Sequence, residues 1–213
     1  YKNSSFPFIE YMSYKLKRYG KTGNAYLNIL EEQVNKLGLT VSEVIRKEHF
    51  DIAIQKKFNI GNAYARKAAA LDALKKTDEY VATLEEGLKV DPNNKVMVKN
   101  YGLHFLKAGL AAQKAGKAEE AEENFKKVIP LNHKTYKTNA LYSLGVLCYN
   151  DGANILKKAA PLANSDADKY AAEKEKADAR FKEAVDYLEE AAKISPENAN
   201  VKKMLPQVKA AMK

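Results

Sequence analysis

The stretch Phe181-Lys-Glu-Ala184-Val-Asp-Tyr187-Leu188-Glu-Glu-Ala191-Ala-Lys-Ile-Ser-Pro196-Glu-Asn198 reads as an amphipathic helix stopped by a proline turn. Ala184, Leu188 and Ala191 recur on one face at helical spacing, while Glu183, Glu189 and Glu190 point elsewhere. Small side chains at Ala184 and Ala191 let a neighbouring backbone come close, and Leu188 fills the gap between them. Ser195-Pro196-Glu197-Asn198 ends the helix, because proline cannot continue it and restricts the residue before it. Two more helices of this kind lie upstream, and their recurrence decides the fold.

The 213 residues are long enough for one or two domains, and 46% of them are apolar, as in a folded globular chain. Ala, Lys, Glu and Leu dominate while Gly and Pro are few, a composition that favours helix throughout. No apolar run of about 18 residues is present, so no membrane span is expected. The single cysteine, Cys148, excludes an intramolecular disulfide and a cysteine-based zinc site, and its helical context reads as a buried structural thiol. The net charge of +9 is spread along the chain. Residues 1–50 carry 8 Lys+Arg against 5 Asp+Glu, residues 51–110 carry 10 against 7, and residues 111–213 carry 18 against 15, so each section is +3. An even spread with lysines alternating with glutamates describes solvated helix faces, and no specific nucleic-acid partner is expected.

Residues 1–49 read as N-terminal helices packing on the rest of the chain: an apolar side at Ile9, Met12 and Leu16, a break at Gly20-Lys-Thr-Gly23, a second helix over 24–37 ended by Gly38, and a short third. From Phe50 the pattern becomes regular. A long helix to about Lys76 carries Ile60-Gly61, and Thr77 or Asp78 caps the next, which holds Tyr80, Leu84 and Gly87 and stops at Asp91-Pro92-Asn93-Asn94. The second pair of helices repeats the order, with Tyr101-Gly102 on one and Ala121, Phe125 and Val128 on the other. Gly61 to Gly102 is 41 residues and Tyr80 to Ala121 is also 41. Two landmarks returning at one period indicate internal repetition.

These elements resemble the tetratricopeptide repeat (TPR), a helix–turn–helix of about 34 residues with W-x2-L-G-x2-Y on its first helix and A-x3-F, then P, on its second. The first-helix element stands as Lys57-x2-Ile60-Gly61-x2-Tyr64, Val98-x2-Tyr101-Gly102-x2-Phe105 and Leu141-x2-Leu144-Gly145-x2-Cys148. The second-helix element stands as Tyr80-x3-Leu84 with Pro92, Ala121-x3-Phe125, and Ala184-x3-Leu188 with Pro196; in the second copy His133 occupies the proline position. The resemblance implies an all-α fold, a right-handed α-α superhelix of antiparallel hairpins over residues 50–213. Its repeats fall at about 50–92, 93–133 and 134–196, and a capping helix closes it over 198–212, with Pro206 bending that helix or confining it to one side.

The spacing is stretched relative to the family. About seven extra residues separate the two elements in the first two repeats, most simply by lengthening each helix by one turn. In the third, Gly145 to Ala184 is 39 residues against 19 for Gly61 to Tyr80. The additional residues read as a long helical hairpin: Ala153–Ala160 continues the first helix, Pro161–Asp166 turns, and Ala167–Arg180 leads into the second, with Ser165-x-x-Asp168 as a capping box.

No catalytic constellation is present. His49, His104 and His133 are scattered, so no metal site is expected; no phosphate loop exists; and the pairs Glu119-Glu120, Glu122-Glu123 and Glu189-Glu190 read as solvated charge. The chain therefore reads as a non-enzyme without a cofactor. The resemblance implies instead a protein-interaction module, which captures a peptide or protein on the concave face lined by first helices. On that face it places Phe58, Asn62 and Arg66, then Lys99, Asn100, Leu103 and Lys107, then Tyr142, Val146, Tyr149 and Asn150. Asn62 and Asn100 match the asparagines of the carboxylate clamp of some TPR proteins, but Phe58, Asn139 and Ser143 stand where its basic residues belong, which rejects the clamp. The alternative is a structural role in which the hairpin 141–194 docks on another copy as a homo-oligomer. The start at Tyr1, the lone cysteine and a likeness to exported bacterial TPR proteins favour an exported, periplasmic location over the cytoplasm.

Overall fold

The computed structural model describes residues 50–212 except Ile52, Lys56 and Phe58. The helices expected over 1–49 lie outside the described residues. The chain divides into two compact units, Tyr1–Met97 and Val98–Lys213.

In the first unit, α1 (Ile60–Ala73) pairs with α2 (Thr77–Val90). The expected long helix from Phe50 is interrupted: Lys57 and Asn59 adopt positive φ of 53° and 44°, and α1 begins only at Ile60. Asparagine tolerates the left-handed region, and the Asn59 side chain accepts a hydrogen bond from the Asn62 amide at 3.0 Å. Neither Thr77 nor Asp78 caps α2. Lys76 holds the cap position without a side-chain bond to the helix backbone, and Thr77, Asp78 and Glu79 form the first turn, where carboxylates complement the exposed N–H groups. Gly87 lets α2 close on α1 and on the chain after it, since a Cβ there would meet Tyr64 at 2.7 Å and the Met97 sulfur closer still.

α3 (Lys95–Lys114) begins in the last residues of the first unit, and the second is built on the rest of it with α4 (Ala118–Lys126), α5 (Lys134–Ala159), α6 (Ala167–Ile194) and α7 (Ala199–Ala211), and a 3-10 turn Ala160–Ala163 between α5 and α6. The extra residues of the second repeat are not shared equally: α3 has 20 residues and α4 has 9. Pro130, which has no N–H to bond the Lys126 carbonyl and whose ring would clash with it, keeps the helix from continuing, and Val128, Ile129 and Leu131 instead donate to the carbonyls three residues back. Val128 thus lies beyond α4, yet it is fully buried. His133, at the family's proline position, caps α5: its Nδ1 accepts from the Tyr136 N–H at 3.4 Å and its ring stacks on Tyr136 at 4.1 Å.

The third pair is the long hairpin. α5 has 26 residues and α6 has 28, so each runs about 40 Å at 1.5 Å per residue, against about 14 Å for α4. The cap of α6 is Asp166, whose carboxylate accepts from the Lys169 N–H at 3.1 Å, and not Ser165. Ser165 donates its hydroxyl instead to the Pro161 carbonyl at 3.1 Å, so the polar turn leaves it no part in the capping box. Two glycines set the α5–α6 distance. A Cβ on Gly145 would lie 2.6 Å from Leu188 Cγ and 3.3 Å from the Ala184 carbonyl oxygen; one on Gly152 would lie 2.8 Å from the Phe181 ring. Leu188, Phe181, Ala184 and Ala191 are all buried in this seam. Thr138, buried near the start of α5, donates to the Ser195 hydroxyl at 3.1 Å, which satisfies two polar groups at the end of the hairpin away from its turn. α7 covers the last face with Val201 and Val208, and Pro206 sits inside it without ending it.

An ionic cluster joins α4, α5 and α6. Arg180 Nε donates to Asp151 at 2.8 Å, its Nη2 to Glu122 at 3.1 Å, and its Nη1 to Glu183. Partial burial works to raise the Glu122 carboxyl, but bonds from Lys126 and Arg180 outweigh it and hold the group below its ordinary range. Beside it, burial pushes the Cys148 thiol up to about 12, with Arg180 pulling the other way, so at neutral pH it is a thiol and not a nucleophile.

Both the glycine seam and the ionic cluster can be tested by stability. Gly145→Ala should lower the unfolding free energy in urea by about 1–2 kcal/mol, because a Cβ 2.6 Å from Leu188 Cγ puts overpacking in the upper part of its usual range, about 2–3 kcal/mol, against the roughly 1 kcal/mol that alanine gains over glycine in a helix. Combined with Leu188→Ala it should cost less than the sum of the two; a Gly145→Ala protein as stable as wild type contradicts the close approach. Arg180→Ala should cost about 1–3 kcal/mol at pH 7, less than a fully buried pair would. Because the folded Glu122 pKa lies below its unfolded value, the stabilisation is present above the unfolded pKa and fades as pH falls through the folded one. The gap between wild type and variant should therefore shrink below about pH 4.5, the ordinary carboxyl value, and a gap that widens in acid contradicts the cluster.

Candidate interaction surface

The first helices of the pairs each show a buried and an open face. On α3, Val98, Tyr101, Gly102, Phe105, Gly109 and Ala112 turn inward. A Cβ on Gly102 would meet the Tyr136 ring at 2.9 Å, and one on Gly109 would meet the Phe125 ring at 2.5 Å. The first contact sets α3 directly beside the start of α5, and the second sets it on α4. The Lys127 ammonium lies 4.6 Å from the Phe105 ring centroid and closes that side.

The other face of α3 is open. Lys99 and Lys107 are exposed, and Asn100 and Leu103 are half-buried. At 100° per residue Lys99, Leu103 and Lys107 lie within an arc of about 80°. Leu110 and Lys114 continue the same strip, and Leu110 is 45% exposed. Neither was among the expected surface residues, although the step of seven from Leu103 to Leu110 points to both. On α5, Val146 is half-buried and Asn150 exposed. Tyr142 and Tyr149 differ: both pack on the core that α5 shares with α6 and α7, and the Tyr149 ring lies 5.7 Å from that of Phe181. In the first unit Asn62 and Arg66 are exposed on α1, with the Asn62 amide bonded to Asn59. Phe58 lies outside the described residues.

Among the described residues no three His, Cys, Asp or Glu side chains converge as a metal site, and no helix is long and apolar enough to cross a membrane. The convergence of charges around Arg180 is a clasp between three helices with its donors engaged.

The comparisons with known proteins agree with this architecture. The family described as tetratricopeptide repeat matches residues 61–94. A crystal structure of a TPR repeats protein from Bacteroides fragilis NCTC 9343 is similar, with a TM-score of 0.77 and 44% identity over 95% of this chain and 89% of that one. No curated protein matches. TPR repeats generally mediate protein–protein interaction. With the repeat matched on α1 and α2 and the likeness extending over nearly the whole chain, the protein belongs to the tetratricopeptide-repeat family.

Proposed function

We propose that the protein is a non-enzymatic interaction module that binds a peptide or protein partner on the open faces of its first helices. The observation that carries this reading is the strip on α3, where three exposed lysines share one face with the exposed Leu110 and the half-buried Leu103. Asn100, Val146 and Asn150 add hydrogen-bonding and apolar contacts beside it, and Asn62 and Arg66 offer the same kind of surface on α1. Tyr142 and Tyr149 support the face from behind, since each is already packed on the hairpin.

Self-association through the long hairpin has less behind it. The large apolar side chains exposed among the described residues are Val90, Val96, Leu110 and Met212, and none lies between residues 150 and 180. A helical surface without exposed large apolar groups is a poor interface core.

The test uses a partner recovered by cross-linking in the native source and then titrated against purified protein. Lys99→Ala/Lys107→Ala/Asn150→Ala changes three exposed side chains, so the fold should be unaffected. Affinity should fall at least about tenfold, or about 1.4 kcal/mol. Unchanged affinity contradicts binding on this face.

A further inference from the structure

The paired helices sort charge by their place in the hairpin. α3 carries Lys95, Lys99, Lys107 and Lys114 and no Asp or Glu, and α5 has no carboxylate before Asp151. The second helices are the reverse: α2 has four carboxylates against one lysine, α4 four glutamates against one lysine, and α6 eight carboxylates against six Lys and Arg. The even charge balance of residues 51–110 and 111–213 does not reveal this, because each holds helices of both kinds.

Helix stability alone does not demand such sorting. The second helices mix their charges into pairs one turn apart, such as Lys126 with Glu122 at 2.7 Å and Lys174 with Asp178 at 2.8 Å. Lys99, Lys107 and Lys114 make no ion pair among the described residues. Cations and apolar groups alternate along the strip as Lys99, Leu103, Lys107, Leu110 and Lys114. Leu103 to Leu110 and Lys107 to Lys114 are each seven residues, two turns or about 10.5 Å, which is the repeat that another helix presents when it lies alongside.

We infer that the open face of α3 receives an amphipathic helix of a partner protein, with an apolar seam at heptad spacing flanked by Asp or Glu. This rests on the proposed binding face and adds the chemistry of its occupant. Residues 24–37 of this chain share the pattern in sequence, with Leu27 and Val34, and Leu30 and Leu37, at heptad spacing and Glu31 and Glu32 against Lys36, so a peptide of that sequence is a third probe in the test. A nucleic acid would use the lysines but leave the leucines without a counterpart.

The experiment measures fluorescence anisotropy of the full chain with labelled peptides of about three heptads, having leucine at the seam and either glutamate or lysine beside it. The glutamate peptide should bind and the lysine peptide should not. Lys107→Glu/Lys114→Glu should weaken the glutamate peptide at least about tenfold and improve the lysine peptide, and Leu110→Ser should weaken the glutamate peptide without reversing the preference. Circular dichroism checks that the variants, all at exposed positions, keep their helices. The inference is overturned if the glutamate peptide does not bind, if both peptides bind alike, or if either variant leaves its affinity unchanged. Tighter binding of a single-stranded oligonucleotide, lost in the same charge-reversed variant, overturns it in favour of a nucleic acid. Binding of the 24–37 peptide more tightly than the glutamate peptide overturns the partner in favour of the chain's own segment. A native partner that is lost with the alanine triple variant but indifferent to charge reversal overturns the acidic helix while leaving the binding face intact.

Discussion

How closely the paired helices approach one another sets every other feature of the fold. At Gly87, Gly109, Gly145 and Gly152 one helix offers no side chain, and a large group of the neighbouring segment occupies the space: Tyr64, Phe125, Leu188 and Phe181 in turn. Packing at this density leaves no room for a Cβ, so the glycine fixes which face of each helix is turned inward. Once the inward face is fixed, so is the outward one. Lys99, Lys107, Leu110 and Lys114 of α3 are exposed because Gly102 and Gly109 hold another side of the helix against Tyr136 and Phe125.

The same seam explains how a 26-residue and a 28-residue helix can pair far beyond the usual repeat. Gly152 and Ala177 extend the pattern of Gly145 and Ala184 by two turns, with Phe181 filling the added layer. Arg180 stands where that extension leaves the body of the repeats and ties it to Glu122 of α4 and Asp151 of α5. The hairpin is thus clasped at its base, and its chemistry is structural: the thiol under the clasp is kept protonated by its burial.

The repeat period, the helix pairs and the long hairpin were legible in the sequence because glycine landmarks and helical periodicity are local patterns. What escaped was decided by single side chains. Asn59 breaks the first helix by taking a left-handed conformation, Asp166 displaces Ser165 as a cap, and Pro130 bounds α4 by removing the N–H that would bond the Lys126 carbonyl. On the candidate surface, a helical strip predicts which residues share a face but not what already covers it. Tyr142 and Tyr149 are therefore taken up by α6 and α7, while Leu110 and Lys114 lie open one and two turns past the last residue that the family motif marks. The sorting of charge between first and second helices is likewise invisible until the helix boundaries are known.

Whether the protein works through the open faces of its first helices is decided by hydrogen–deuterium exchange of the full chain with and without a bound native partner. Protection should rise at the backbone amides along the outward strip of α3 and at Val146–Asn150 of α5, with little change on α2, α4 and the outer face of α6. Protection confined to the second helices or to the far end of the hairpin would contradict binding on those faces.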